Sequence, residues 1–150
     1  FCEKSNGFTF GASGGTYNNI CPKNLEKDFL VEYRQGRKKY LEHKITENET
    51  RIASLVQENA ALDRDRNMLQ AQLLMISRSD KVPVTTSSIN AATGQSQTQT
   101  QWVENPQTQR RRDDLQKQLN SKSSAVNGNK HSQKKLQDEI YEMKRELQTL

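Results

Sequence analysis

The chain has 150 residues and a net charge of +5, and only 31% of its residues are hydrophobic and 6% aromatic. So little apolar material disfavours a thick core and the concave walls of an enzyme pocket; it suits elongated helices with a narrow seam. The positive charge gathers at the ends: residues 110–150 carry 10 basic and 6 acidic groups, whereas 41–78 carry 5 and 6. That mixture of signs reads as solvated helix faces rather than a nucleic-acid footprint.

Residues 1–23 form a Gly/aromatic head with the two cysteines of the chain, Cys2 and Cys21. The run Asn6-Gly7-Phe8-Thr9-Phe10-Gly11-Ala12-Ser13-Gly14-Gly15-Thr16-Tyr17 predicts tight turns or a short helix packed by Phe8, Phe10 and Tyr17. No Gly-Lys-Ser/Thr follows, so it is not a phosphate loop. In an exported protein Cys2 and Cys21 would pair and close a loop of about 20 residues, contributing about 3 kcal/mol by chain entropy; in a cytosolic protein they would be free thiols. A thiol-redox role is disfavoured because no Cys-x-x-Cys is present. Metal binding is disfavoured too, since His43 and His131 sit on separate helices without clustered ligands. No cofactor is expected.

A long amphipathic helix is predicted over 24–78, with Asn24 as its N-cap. Its first turns carry Phe29, Leu30, Tyr33, Gly36, Tyr40 and Leu41 at helical spacing, an aromatic stripe suited to docking the head. Gly36 costs roughly 1 kcal/mol relative to Ala inside a helix. A glycine tolerated there predicts close approach of another backbone.

From Leu41 a heptad frame holds. Ile45, Ile52, Asn59, Arg66 and Leu73 take position a; Leu41, Asn48, Leu55, Leu62, Leu69 and Ile76 take d. Asn59 at a favours a parallel two-stranded register through paired amides, at some cost in stability. The expected interface is Ile45, Ile52, Leu55, Asn59, Leu62, Leu69, Leu73 and Ile76, with Leu136, Ile140, Met143 and Leu147 from the tail.

Residues 79–104 are dominated by Ser, Thr, Gln and Asn, and they predict a disordered polar tether with Trp102-Val103 near its end. Trp102 packs locally or anchors a partner. Asn105-Pro106 restarts a helix, Asn as N-cap and Pro at N1. In the tail, 105–150, Leu115, Leu119, Val126, Leu136, Ile140, Met143, Leu147 and Leu150 share one heptad frame. Asn127-Gly128-Asn129 predicts a break near 127–129 and a hairpin-like pair of helices. Arg110-Arg111-Arg112 is followed at once by Asp113-Asp114, which halves its field.

The head residues Cys2, Asn6-Gly7-Phe8, Gly11, Gly14, Tyr17, Cys21-Pro22, Phe29-Leu30 and Tyr33-Arg34-Gln35-Gly36-Arg37 together resemble the C-terminal half of a family of small Gram-negative envelope lipoproteins, known as domain of unknown function 2799. The resemblance covers residues 1 to about 45. It implies a fragment of a lipoprotein exported to the periplasm and anchored in the outer membrane through an upstream lipidated cysteine. It favours oxidised cysteines, with an upstream family cysteine as an alternative partner. The family has no established activity, so it supplies no catalytic residues.

The fold class expected is mainly α: a Gly/Cys-rich head, a long coiled-coil helix, a disordered tether and a C-terminal helical segment. The function expected is a non-enzymatic envelope coiled-coil protein that self-associates or binds another helical envelope protein. Its tail either folds back on the long helix or pairs with another copy. No small-molecule substrate is expected, and contact with a membrane comes only through the upstream anchor. The alternative function is binding of nucleic acid or an anionic surface through the basic C-terminal segment.

Overall fold

The computed structural model describes residues 1–76 and 80–150. The last positions of the expected long helix, Ser77 and Arg78, and the first of the expected tether, Ser79, lie outside the described residues. The elements are α1 (Lys4–Ala12), α2 (Lys23–Met75), β1 (Lys81–Ile89), β2 (Ser96–Glu104) and α3 (Pro106–Thr149). The protein is therefore mainly helical with one two-stranded sheet. No helix among the described residues is long and apolar enough to cross a membrane. The chain divides into two compact units, Phe1–Asn59 with Gly128–Leu150, and Ala60–Asn127.

In the first unit, α1 ends in a glycine-closed turn. Gly14 has φ +86°, its N–H donates to the Gly11 carbonyl at 3.0 Å, and the Gly15 N–H reaches back to Phe10 at 3.0 Å. Positive φ at the residue after the helix is the conformation that glycine adopts without strain. α2 starts at Lys23, one residue before the expected Asn24 cap. The carbonyl of Pro22 accepts from the N–H groups of Leu25 and Glu26, each at 2.9 Å, so Pro22 occupies the capping position.

α1 lies along residues 29–37 of α2, running in the same direction. The two helices meet through glycine. A Cβ on Gly11 would sit 2.7 Å from the Arg37 nitrogen, and one on Gly36 would sit 2.8 Å from the Ala12 nitrogen. Only residues without a side chain allow backbones this close.

Also in the first unit, α3 runs antiparallel to α2. Arg37 pairs with Glu146 at 2.6 Å, Asn48 with Glu139 at 3.1 Å, Lys144 with Glu49 at 3.2 Å and Asn129 with Glu58 at 3.4 Å. The frame of α3 matches that of α2. Gln133, Leu136, Ile140, Met143 and Leu147 are all buried or half-buried. In the second unit the same antiparallel relation is marked by Lys122 and Asp65 at 2.8 Å. There Leu115 and Val126 are buried and Leu62, Leu69, Leu73 and Leu119 are half-buried.

Two expectations are overturned. First, the polar stretch after α2 is not a disordered tether. β1 and β2 pair antiparallel from Lys81↔Glu104 to Ile89↔Ser96. The turn between them is held by Asn90, whose side chain accepts from Ala92 N–H at 3.0 Å, and by Gly94 at φ +65°. Second, the tail has no break at Asn127-Gly128-Asn129; all three residues are helical. A Cβ on Gly128 would meet nothing within 4 Å, so this glycine serves no turn or close contact. Asn59, at position a of the expected frame, is the buried polar residue of the first unit's seam. It is buried at 9% exposure in the antiparallel seam, and its Oδ1 has no hydrogen-bond partner among the described residues.

Candidate interaction site

The head is built around a cluster of aromatic side chains. Phe29 on α2 is fully buried, at 0% exposure. Around it gather Phe1 at 5.5 Å, Tyr17 at 5.3 Å, Tyr33 at 6.3 Å and Phe10 at 6.5 Å between ring centroids. Aromatic pairs at these separations add attraction beyond the apolar area they remove from water. Cys2 and Cys21 are joined by a disulfide, with Cα atoms 5.5 Å apart. Cys21 is buried and Cys2 half-buried.

The polar tips of the two tyrosines tie the loop before α2 to the helix. The Tyr33 hydroxyl donates to the Gly15 carbonyl at 3.0 Å and accepts from the Tyr17 N–H at 3.4 Å. The Tyr17 hydroxyl donates to Glu26 and accepts from the Cys21 N–H, both at 3.1 Å. These bonds satisfy backbone groups that a short loop would otherwise leave without partners.

Arg37 joins three segments of this unit. Its Nη1 donates to the Gly14 carbonyl at 2.8 Å, and its Nε and Nη2 grip the Glu146 carboxylate at 2.6 and 3.0 Å. Its guanidinium also lies 5.3 Å from the Tyr40 ring centre. Donating to the Glu146 carboxylate raises the guanidinium pKa above its ordinary value, against the opposing effect of burial. The planar fork of Arg suits a two-point grip that Lys cannot reproduce.

Beside this clamp is an open groove of about 650 Å³ between α2 and α3, lined by Tyr40, Lys44, Asn48, Lys135, Glu139 and Met143 among others. Its walls carry both signs of charge. Lys44 and Glu47 pair at 2.6 Å on the exposed surface, which raises the ammonium and lowers the carboxyl. No set of three His, Cys, Asp or Glu residues among the described residues could hold a metal ion.

The residues expected at the helix interface fall into two groups. Ile45, Leu55, Asn59 and Ile140 are buried; Ile52, Leu62, Leu69, Leu73, Ile76, Leu136, Met143 and Leu147 are half-buried. Within each unit the α2 seam lies beside the chain's own α3. Polar members of the seam are partly unsatisfied: besides Asn59 Oδ1, Gln133 Nε2 and Arg66 Nε are buried without partners among the described residues.

The β1–β2 ribbon was missed by sequence reasoning. Trp102, Val84 and Ile89 stand exposed on it, Trp102 at 65%. Trp102 therefore does not pack into the protein. A signal was present: residues 96–101 alternate Thr or Ser with Gln, which is period two, and 82–86 are rich in β-branched residues.

Residues 1–38 match a family model described as a protein of unknown function (DUF2799). The matched span holds the disulfide, the aromatic cluster, the glycine contacts and Arg37. No curated protein and no solved structure matches the chain.

Proposed function

We propose that the chain is a structural or protein–protein interaction component of the Gram-negative cell envelope, acting without catalysis. The observation that carries this reading is the disulfide between Cys2 and Cys21 over a small aromatic head. Structural disulfides persist in oxidising compartments and are rare in the cytosol, and small domains with thin cores gain most from them. The family match over residues 1–38 supports the same reading, because the family that the head resembles is one of small envelope lipoproteins. The way the head is built supports a mounting role. The Tyr17 and Tyr33 hydroxyls are spent on internal bonds, and Arg37 fastens the α1–α2 turn to the last turns of α3.

The alternative of an anionic-ligand surface over 110–150 draws less support. Four cations of that segment already face carboxylates: Arg112 with Glu104, Lys122 with Asp65, Lys144 with Glu49 and Arg145 with Glu142.

Cell fractionation combined with trapping of free thiols tests the proposal. Expected is recovery in the envelope or periplasmic fraction with no alkylation of Cys2 or Cys21 before reduction. Cytosolic protein with both cysteines alkylated would overturn it.

A further inference from the structure

The hydrogen-bond phase of the ribbon shows which of its edges is open. At one end the Asn105 N–H donates to the Asp80 carbonyl at 2.9 Å; at the other the Asn90 N–H donates to the Gln95 carbonyl at 2.9 Å. Antiparallel pairs alternate between bonded and non-bonded, so the even-numbered residues of β1 exchange backbone bonds with β2. The odd residues of β1, and the even residues of β2, turn their N–H and C=O groups outward. The Thr85 and Thr100 hydroxyls, 3.3 Å apart, agree with this phase, because side chains come closest across a non-bonded pair.

The two outward edges differ. β1 presents Pro83, which has no N–H to give, next to Lys81. Proline and lysine are the usual means of blocking an edge. β2 presents Ser96, Thr98, Thr100, Trp102 and Glu104, with a full set of donors and acceptors and a single charge at one end. A lone two-stranded ribbon with both faces in water is marginal in stability, and a third strand is what such ribbons lack. Nearly every residue of both strands is exposed.

The geometry points to a second copy of this chain as the occupant of that edge: β2 pairs antiparallel with β2 about a two-fold axis at Thr100. The result is one four-stranded sheet in the order β1-β2-β2-β1. The sequence of β2 is self-complementary in this register. Thr98 faces Trp102 of the second copy, Ser96 faces Glu104, and Gln99 faces Gln101. No like charges meet, and every outward backbone group finds its counterpart. Antiparallel pairing also sends the two copies' helical connections away at opposite ends of the sheet. The interface is isologous, the commonest form of closed assembly. This pairing stands apart from envelope location, which the thiol experiment addresses.

Thr85 and Thr100 are register partners within one ribbon. A change at either disturbs the ribbon alike, but only Thr100 lies on the axis. Sedimentation equilibrium of the full chain is therefore run for the wild type, Thr100→Pro and Thr85→Pro, with helix content checked by circular dichroism. Expected is a dimer for the wild type and Thr85→Pro, with at least tenfold weaker association for Thr100→Pro. As a second measurement, Thr100→Cys forms a disulfide-linked dimer on mild oxidation and Thr85→Cys does not. A wild type that stays monomeric through the micromolar range overturns the pairing. So does equal weakening by both prolines, or equal cross-linking by both cysteines.

Discussion

Gly36 and Gly11 are held between backbones, and a backbone cannot swing aside as the end of a flexible side chain can. A methyl at Gly36 would press on the Phe8–Ala12 stretch of α1, so α1 would have to lift from α2. Overpacking of this kind costs about 1–3 kcal/mol. Gly36→Ala is expected to lower the melting temperature of the head, followed by near-ultraviolet dichroism of its aromatic cluster; an unchanged melt would refute the close approach. Gly128 is the opposite case. It lies inside α3 with open space where a Cβ would go, and Ala is better than Gly in a helix interior by about 1 kcal/mol. Gly128→Ala is therefore expected to raise the melting temperature by about 2–4 °C. Gly36 was legible from the sequence, because a glycine inside an aromatic stripe has few other uses. Gly128 was not. Asn127-Gly128-Asn129 has the local propensity of a turn, but Val126 before it is buried to 2% exposure and Ile140 after it to 8%, in one unbroken frame. Burial of the seam outweighs about 2 kcal/mol of poor helix propensity.

Among the elements, the head and the helical seam fail in different ways. The head depends on its staple. Cys2→Ser with Cys21→Ser is expected to destabilise it by about 3 kcal/mol through loop-closure entropy, and to leave the far-ultraviolet helix signal nearly intact, because α2 and α3 meet through other residues. Loss of all helix signal would show that the head supports the whole fold. The seam depends on apolar packing interrupted by polar layers. Asn59 Oδ1 is buried without a partner, and such an atom costs about 1–3 kcal/mol. Asn59→Leu is expected to raise stability to denaturant by a similar amount; a fall would mean that the amide finds a partner in solution. The heptad frames of both helices were readable because burial enforces the period directly. The ribbon was not read, because Ser, Thr and Gln lack the apolar contrast on which periodicity rests. Its order comes from backbone pairing between Val82 and Val103 and onward, and from the Asn90 and Gly94 turn. Composition alone does not report such pairing.

For the molecule as a whole, the question is which copy supplies the partner of each helix. A seam that carries Asn48, Asn59 and Arg66 is weak for a permanent zipper between chains. Within one chain the cost of association is smaller, because α2 and α3 are covalently linked and each keeps the other at high effective concentration. The seam can then tolerate polar layers that an intermolecular pair could not. The salt bridge of Glu49 with Lys144 gives a direct test, since both side chains are largely exposed at their site. Glu49→Cys combined with Lys144→Cys, treated with a short bismaleimide at nanomolar protein, is expected to give a cross-link within one chain. Its yield should not change on dilution, nor in the Thr100→Pro background. If the linked product is instead a covalent dimer whose yield falls with concentration, then α2 takes its partner from another copy, and the exchange of helices between chains becomes the assembly mode. The two junctions are separable by this design: the ribbon edge answers to Thr100, and the helical seam answers to the Glu49 and Lys144 pair.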